Sequence, residues 1–226
     1  HDLRSGTVGL KPGLNNAAVD HFRIEVHGKS THVSTPHLGT DALYIASQIV
    51  VAVQGLVTRM TSPTEPVIIG IGKLNAGTTY NAVAAFAEME GTTRTISQES
   101  RDRIRRLVTE TADSIAAIYG GTAEIVWTDF AAALINDAEV CREAAAVADS
   151  LLGEGHVVTD RELSLSGDNF AEFELYRPGA YAYLGTGNPD LPHTMITNHN
   201  GGFDVDENAL VTGAGLYVGY TVARLG

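Results

Sequence analysis

The clearest pattern in the chain is a strict alternation followed by a helical repeat. Between residues 19 and 27, apolar and polar side chains alternate, which predicts a strand with one buried face. From about residue 40 to 60, apolar residues return every three or four positions, which predicts a long helix. The polar segment 28–37 between them places His32 on a loop, where ligand-facing side chains are commonly presented. The pattern alone supports two interpretations of His32 equally well: a solvated loop residue and a functional residue.

The segments that follow complete a compact domain. The remaining elements are predicted at about 66–75 (strand), 83–95 (strand), 98–119 (helix capped by Ser97) and 122–130 (strand). The order strand, helix, strand, strand, helix, strand is that of a ferredoxin-like layer, with one sheet and two helices on one face. The second helix carries four arginines, which are interpreted as its solvated face: Arg101, Arg103, Arg105 and Arg106.

Outside residues 15–130 the pattern changes to alternating helices and strands. These are predicted at about 137–152 (helix), 156–160 (strand), 166–168 (start of a short helix), 181–184 (buried strand) and 206–224 (helix). Asn136 and Asp204 are the predicted caps of the first and last of these helices. With one strand in residues 1–14, these pieces form part of an α/β layer into which the first domain is inserted. The predicted domains are therefore 1–14, 15–130 and 131–226.

Composition narrows the class of protein. The 226 residues are 44% apolar and 19% charged, as in an ordinary globular protein. No apolar run approaches the ~20 residues of a membrane span, and a net charge of −12 without a basic block argues against nucleic acid. The single cysteine, Cys141, lies in an apolar helical register, which predicts a core residue. It excludes an internal disulfide and, with no signal peptide visible, favours a reducing, cytoplasmic location.

No short motif defines the chemistry by itself. The chain has no His-Glu-x-x-His or Cys-x-x-Cys pair, no nucleophile elbow and no phosphate loop. His199 stands in a polar loop, where a histidine is more often solvated than a ligand. Asn81 and Arg94 bracket the third predicted strand. Together with His32, they place an amide, a guanidinium and an imidazole on one sheet layer, which suits an anionic substrate or a developing oxyanion.

Several ordered segments resemble one known family. They are Ser5–Gly13, Gly28–His37, Gly77–Asn81, Glu90–Thr95, Ser166–Phe170, Leu184–Asn188 and His199–Glu207. In order and spacing they resemble the M20 metallopeptidases, in the amidohydrolase branch that includes aminoacylase-like, hippurate and indoleacetyl-amino-acid hydrolases. The resemblance implies an α/β zinc-peptidase catalytic domain that binds two divalent metal ions. It also implies that the inserted ferredoxin-like domain (βαββαβ) is a lid that mediates homodimerisation.

The resemblance also implies roles for the two histidines. His199 matches the histidine that ligates one metal ion from the last loop of the family. His32 matches a lid histidine that reaches into the partner subunit's active site and stabilises the tetrahedral oxyanion. The implied metal is zinc, with manganese, cobalt or nickel as alternatives. A metal-bound water would attack the amide carbonyl after losing a proton to a glutamate.

The remaining matched residues would contact the substrate. Asn81 and Arg94 match lid residues that grip it, and Arg94 suits a carboxylate because its guanidinium is a planar fork. Gly185 and Gly187 match a loop that lines the substrate pocket. The implied substrate is an N-acyl amino acid, whose amide bond is cleaved.

The resemblance fails in the metal-binding segments. The family's His-x-Cys-Gly-His-Asp motif and its glutamate pair are absent from the 226 residues, so we predict that this chain alone is inactive. Asp168 and Asn169 stand where the branch usually has Glu-Asp, and the role of His1 stays open. Two alternatives also stay open: a non-catalytic dimerisation or ligand-binding module derived from the lid, and a dipeptidase.

Overall fold

The computed structural model describes all residues from 1 to 226. Its strands are β1 (Val8–Gly9), β2 (Gly13–Asn16), β3 (Ala18–His27), β4 (Ile68–Ala76), β5 (Phe86–Thr95), β6 (Thr122–Ala131), β7 (Leu134–Asn136), β8 (Val157–Val158) and β9 (Tyr183–Leu184). Its α-helices are α1 (Ala42–Met60), α2 (Gln98–Ile118), α3 (Ala138–Leu152), α4 (Ala171–Glu174) and α5 (Ala209–Leu225). Two 3-10 helices span Pro36–Leu38 and Pro192–Met195.

The chain divides into two compact units. One, called the lid here, comprises Asn16–Ala133 with Leu165–Asn169. The other, called the α/β unit, comprises His1–Asn15, Leu134–Ser164 and Phe170–Gly226. These bounds lie within three residues of the predicted ones, apart from the short segment 165–169, which the prediction assigned to the C-terminal domain.

The lid is a four-stranded antiparallel sheet with two helices on one face. The strand order is β4-β5-β3-β6, so the alternating strand β3 lies inside the sheet. Phe22 on β3 lies opposite Gly91 on β5 and Trp127 on β6. A Cβ at Gly91 would lie 2.3 Å from the Phe22 ring, so only glycine leaves room for that ring. The arrangement confirms the predicted ferredoxin-like layer.

Two arginines predicted to be solvated are instead partners of a buried carboxylate. Asp20 is only 1% exposed, and the guanidinium of Arg101, 6% exposed, donates to both of its oxygens at 2.6 and 3.0 Å. Arg105 donates to the same carboxylate. Burial alone would raise the pKa of Asp20, but the hydrogen bonds and charges of the two arginines outweigh it and lower that pKa. The prediction of a solvated face holds for Arg106, which is exposed.

Helix α1 corrects a second expectation. With 19 residues and few charges, it is long and apolar enough to cross a membrane, although no such segment was expected. The structure places this helix in the lid core, where Ile45, Ile49 and Val53 are fully buried. Its opposite side is also apolar and exposed at Tyr44 and Val51. The exposed side of the helix therefore carries large apolar side chains together with the polar Gln54 and Thr58.

The α/β unit is built on a three-stranded sheet with the order β8-β1-β9. Strand β1 is parallel to β8 and antiparallel to β9, and α3 packs against α5. The small strands β2 and β7 pair with each other. The buried apolar cluster of this unit consists of Val8, Leu10, Cys141 and Ala144, which confirms the predicted core position of the cysteine.

Both predicted caps in the α/β unit are wrong. Helix α3 is capped by Asp137, whose carboxylate accepts hydrogen bonds from two backbone N–H groups of the first turn. The amide of Asn136 instead donates to the backbone carbonyls of Lys11 and Tyr181. Helix α5 follows Asn208 and has no side-chain cap, so Asp204 does not start it.

Candidate active site

The loop between β3 and α1 presents His32 as one tautomer of its neutral ring. Its Nδ1 accepts the backbone N–H of Ser34 at 3.2 Å and lies 2.7 Å from the Ser34 hydroxyl oxygen. Because a backbone N–H can only donate, Nδ1 carries no proton, and in the neutral ring the proton lies on Nε2. The side chain is exposed. His32 therefore offers one N–H donor, which is the group that an oxyanion needs.

Asn81 lies beside His32. The backbone N–H of Val33 donates to the carbonyl of Asn81 at 3.1 Å, and His32 forms a bridge with Ala82. The Asn81 side-chain oxygen accepts a hydrogen bond from the Thr79 hydroxyl at 3.1 Å. Its amide N–H groups have no partner and can donate to a ligand. One end of the lid sheet thus carries two exposed donors side by side.

Arg94 lies on β5 and, unlike Arg101, has no carboxylate partner. One of its terminal nitrogens donates to the Thr92 hydroxyl and, at 2.9 Å, to the Thr93 carbonyl. Burial lowers the pKa of this half-buried guanidinium, while the charge of Asp20 raises it in part. No carboxylate lies within ion-pair distance of Arg94, whereas Arg101 is fully paired. The rest of the Arg94 fork is available to an anion.

The three lid residues do not form one cluster within a lid. Arg94 is opposite Val19, at the end of the sheet where the chain enters the lid. The loops of His32 and Asn81 extend from the other end, where His27 is opposite Phe86. Arg94 lies eight positions beyond Phe86 along the extended strand, which corresponds to roughly 26 Å. Arg94 lies in the sheet, whereas His32 and Asn81 lie on loops at its other end, so the three residues present two separate binding surfaces.

The predicted residues of the α/β unit lie on loops. His199 is exposed and has a φ of 62°, the only positive φ outside glycine. Such strained conformations cluster at functional sites. Gly185 and Gly187 donate their N–H groups to the carbonyls of Thr7 and Leu3, each at 2.9 Å. A Cβ at either glycine would lie within 2.5 Å of a backbone oxygen, so close packing explains both glycines. Their role in lining a substrate pocket stays a prediction.

The donor set of this chain does not complete a two-metal centre. The only group of three histidine, cysteine or carboxylate donors within 4.8 Å of one another is Glu25, His27 and Glu124, on the lid sheet. His199 belongs to no such group. One histidine is too few for two ions, since each metal site needs about three protein ligands. The chain therefore offers a single predicted ligand to such a centre. Its residues alone do not define a metal-dependent catalytic step.

Sequence reasoning missed Ser34 and Thr92. Ser34 fixes the tautomer of His32, and Thr92 holds the guanidinium of Arg94. Each lies two residues from the side chain that it positions. That offset is a usable signal, because hydroxyl side chains often bond groups two residues away and residues two apart share a strand face.

Comparison with known proteins identifies the family. A model of the peptidase dimerisation domain matches residues 18–120, which lie in the lid. The chain is 34% identical over 210 residues to the N-acetyl-L-cysteine deacetylase of Bacillus subtilis, covering 93% of this chain and 48% of the deacetylase. It is also 34% identical over 211 residues to thermostable carboxypeptidase 1 of Saccharolobus solfataricus, covering 93% of this chain and 52% of that enzyme.

A solved structure is also similar to this chain. It is a Bacillus subtilis protein described as a dinuclear metal binding peptidase from the M20 family, with a TM-score of 0.77 and 30% identity. The chain belongs to the M20 family. The alignment covers 99% of this M20 chain and 54% of the solved one, so the chain spans about half the length of the relatives it matches. The predicted family and fold class are confirmed.

Proposed function

We propose that this M20 chain supplies the lid and the C-terminal part of the catalytic domain of a metal-dependent amidohydrolase that cleaves N-acyl amino acids. The observation that carries the proposal is Arg94, a half-buried guanidinium without a carboxylate partner. Every N-acyl amino acid has a free carboxylate, which the arginine fork binds through two hydrogen bonds. The relative named as an N-acetyl-L-cysteine deacetylase supports cleavage of the acyl amide.

The protein acts as a homodimer through its lid. The match to a peptidase dimerisation domain supports this arrangement. On the lid, helix α1, which exposes the apolar side chains of Tyr44 and Val51, packs next to β4, an edge strand with unpaired backbone groups. Strand β6, at the other edge, lies beside the strongly charged helix α2. A second copy therefore fits the α1–β4 side better.

Dimerisation explains why the lid residues are separated. One active site would take Arg94 from its own lid and use the partner subunit's His32 and Asn81. Arg94 holds the substrate carboxylate, and the Nε2–H of His32 donates to the oxygen that becomes negative when the carbonyl is attacked. The Asn81 amide adds a second donor. His199 would hold one of two divalent ions, which we propose to be zinc and which would activate the attacking water when bound.

The test compares substrates with free and blocked carboxylates. The full polypeptide of the encoding reading frame is assayed on N-acetyl amino acids and on their carboxamides. We expect Arg94→Met to raise KM for the free acids and to leave the carboxamides unchanged. Equal effects on both substrates would remove Arg94 from carboxylate binding. The 226-residue chain serves as the inactive control, and metal-dependent hydrolysis by it would contradict the proposed division of the centre.

The role of His32 has its own test. In the full polypeptide, His32→Ala should lower kcat about 10²- to 10³-fold with unchanged metal content, as expected for one lost oxyanion donor. An unchanged kcat would remove His32 from the mechanism.

A second candidate is a dipeptidase, which the carboxypeptidase relative favours. A dipeptide also ends in a carboxylate, so Arg94 serves both substrates equally. Hydrolysis of dipeptides but not of N-acetyl or N-benzoyl amino acids would identify a dipeptidase. Absence of both activities in the full, metal-loaded polypeptide would favour a non-catalytic module.

A further inference from the structure

The face of the lid sheet that α1 and α2 leave open carries a row of glutamates. Glu25 on β3 lies directly opposite Glu88 on β5 and opposite Glu124 on β6. Like charges directly opposite each other destabilise a sheet unless a cation lies near them. The row therefore needs positive charge on both sides of Glu25.

Basic side chains supply that charge on one side only. Arg23 lies 3.2 Å from a Glu25 oxygen and 3.5 Å from a Glu88 oxygen. Lys73 lies 3.6 Å from Glu88. Glu124 has no lysine or arginine within ion-pair distance, and it accepts no hydrogen bond. Glu25 is therefore paired with Arg23, whereas the Glu124 carboxylate opposite it has no permanent cation.

His27 supplies a third donor at the same place. Its Nε2 lies 3.7 Å from the second oxygen of Glu25. This nitrogen has no hydrogen-bond partner and no contact with solvent, although the rest of the ring is partly exposed. The ring packs against Phe86 with the centroids 5.5 Å apart, which limits its movement. One donor atom from each of Glu25, His27 and Glu124 lies within 4.8 Å of the other two.

We propose that Glu25, His27 and Glu124 bind a divalent transition-metal ion, with Zn²⁺ as the best match. An imidazole nitrogen with two carboxylate oxygens is a zinc donor set, whereas Mg²⁺ and Ca²⁺ prefer oxygen alone. Tetrahedral bonds of about 2.1 Å place donors about 3.4 Å apart, so the three side chains need only close by about 1.4 Å at most. Glu25 can keep its first oxygen on Arg23 and use the second for the metal.

The site lies at one end of the lid sheet. It joins β3 to the edge strand β6 at the end of the sheet from which the His32 loop leaves, since Gly28 directly follows His27. A bound ion would therefore stabilise the end of the sheet that carries this loop. The proposal does not depend on the proposed function, because all three ligands lie within the lid.

The test is a calorimetric titration of the 226-residue chain with Zn²⁺ at pH 7.5. His1→Ala and His199→Ala are present in every variant, so that neither histidine contributes a ligand. We expect one Zn²⁺ per chain, at least tenfold weaker binding in Glu124→Gln, and loss of binding in His27→Gln. His21→Gln is the matched control, because His21 lies on the same face of β3 but beside a single carboxylate, and it should bind as before.

A site-resolved measurement accompanies the calorimetry. The imidazole ¹⁵N resonances of His27 should shift on saturation with Zn²⁺, and those of His21 should not. Thermal unfolding of each variant without metal verifies that it is folded. The proposal is overturned if Zn²⁺ does not bind, if Glu124→Gln binds as tightly as its parent, or if the His27 resonances stay in place. It is also overturned if lowering the pH shifts those resonances but Zn²⁺ does not, since a protonated His27 would then be the missing cation.

Discussion

In the lid, buried apolar side chains from both helices and from β3, β4 and β5 form one continuous cluster, whereas in the α/β unit the corresponding cluster holds only four residues. Helix α5 shows the difference most clearly, since Ala209 is its only buried residue and Val211 and Tyr217 are largely exposed. Stability follows buried apolar area. We therefore expect the lid to unfold cooperatively and α5 to open at lower free energy.

The largest expected effect is a difference in unfolding free energy between a substitution in the lid core and one in the α/β unit. Phe22→Ala removes a fully buried ring that lies 5.2 Å from the Trp127 ring, and it should destabilise the lid by about 3–5 kcal/mol. Phe173→Ala in the α/β unit removes a ring that is 69% exposed and should cost less than about 0.5 kcal/mol. Urea denaturation followed by hydrogen exchange measures both. Similar costs would mean that the lid core is no better packed than the surface of the α/β unit.

The next effect concerns the buried ion pair of the lid, whereas the buried carboxylate of the α/β unit, Asp206, accepts a hydrogen bond from the amide of Asn188. Asp20→Asn leaves Arg101 and Arg105 without their carboxylate and should destabilise the lid by about 3 kcal/mol at pH 7. The folded-state pKa of Asp20 is lowered, so its stabilisation is present above the unfolded value of about 3.9 and is lost as the pH falls through the folded value.

Unfolding free energies at pH 7 and pH 3 measure this effect. The difference between Asp20→Asn and the parent should shrink toward acid. Asp129→Asn is the control, because that carboxylate is mostly exposed and should have a small effect at both pH values. A difference that does not depend on pH would show that the charge of Asp20 is not what stabilises the lid.

Local patterns predicted most of the lid, because its strands and helices are long and each has one buried face. The buried ion pair could also have been predicted. Asp20 is in phase with Phe22 and Ile24 on the buried side of β3, and a buried carboxylate needs a cationic partner. The separation of Arg94 from His32 could not be predicted in this way. It depends on the antiparallel register of β3 and β5, which joins residues about 70 positions apart.

The α/β unit was harder to predict for the opposite reason. Its strands β1, β8 and β9 have two residues each, too few to establish an alternation. Its helix caps were misplaced by one or more residues, because Asn136 and Asp137 are equally good caps in sequence and only the tertiary partners of Asn136 distinguish them.

A smaller effect tests whether exposed apolar side chains differ between the two units. Val51 on α1 is 70% exposed and Val211 on α5 is 77% exposed. If α1 lies in the dimer interface, Val51→Lys places an unpaired charge there and should raise the dimer dissociation constant at least tenfold, which is about 1.4 kcal/mol. Val211→Lys should leave it unchanged. Analytical ultracentrifugation measures both, and the opposite ranking would place the interface on the α/β unit.

The smallest expected effect is that of removing a helix cap. Its spread through each unit depends on how cooperatively that unit unfolds. The Ser97 hydroxyl accepts one backbone N–H of α2 at 3.1 Å, and the Asp137 carboxylate accepts two backbone N–H groups of α3, each at 2.9 Å. Ser97→Ala and Asp137→Ala should each cost about 1 kcal/mol. In a cooperative lid, the loss at Ser97 lowers hydrogen-exchange protection across the core strands as well as α2. In the α/β unit, the loss at Asp137 should accelerate exchange in α3 alone, because its small core couples α3 weakly to the rest. Uniform loss of protection throughout the α/β unit would show that four buried residues suffice for cooperative folding, and the contrast between the two units would then lie in their stability rather than in their cooperativity.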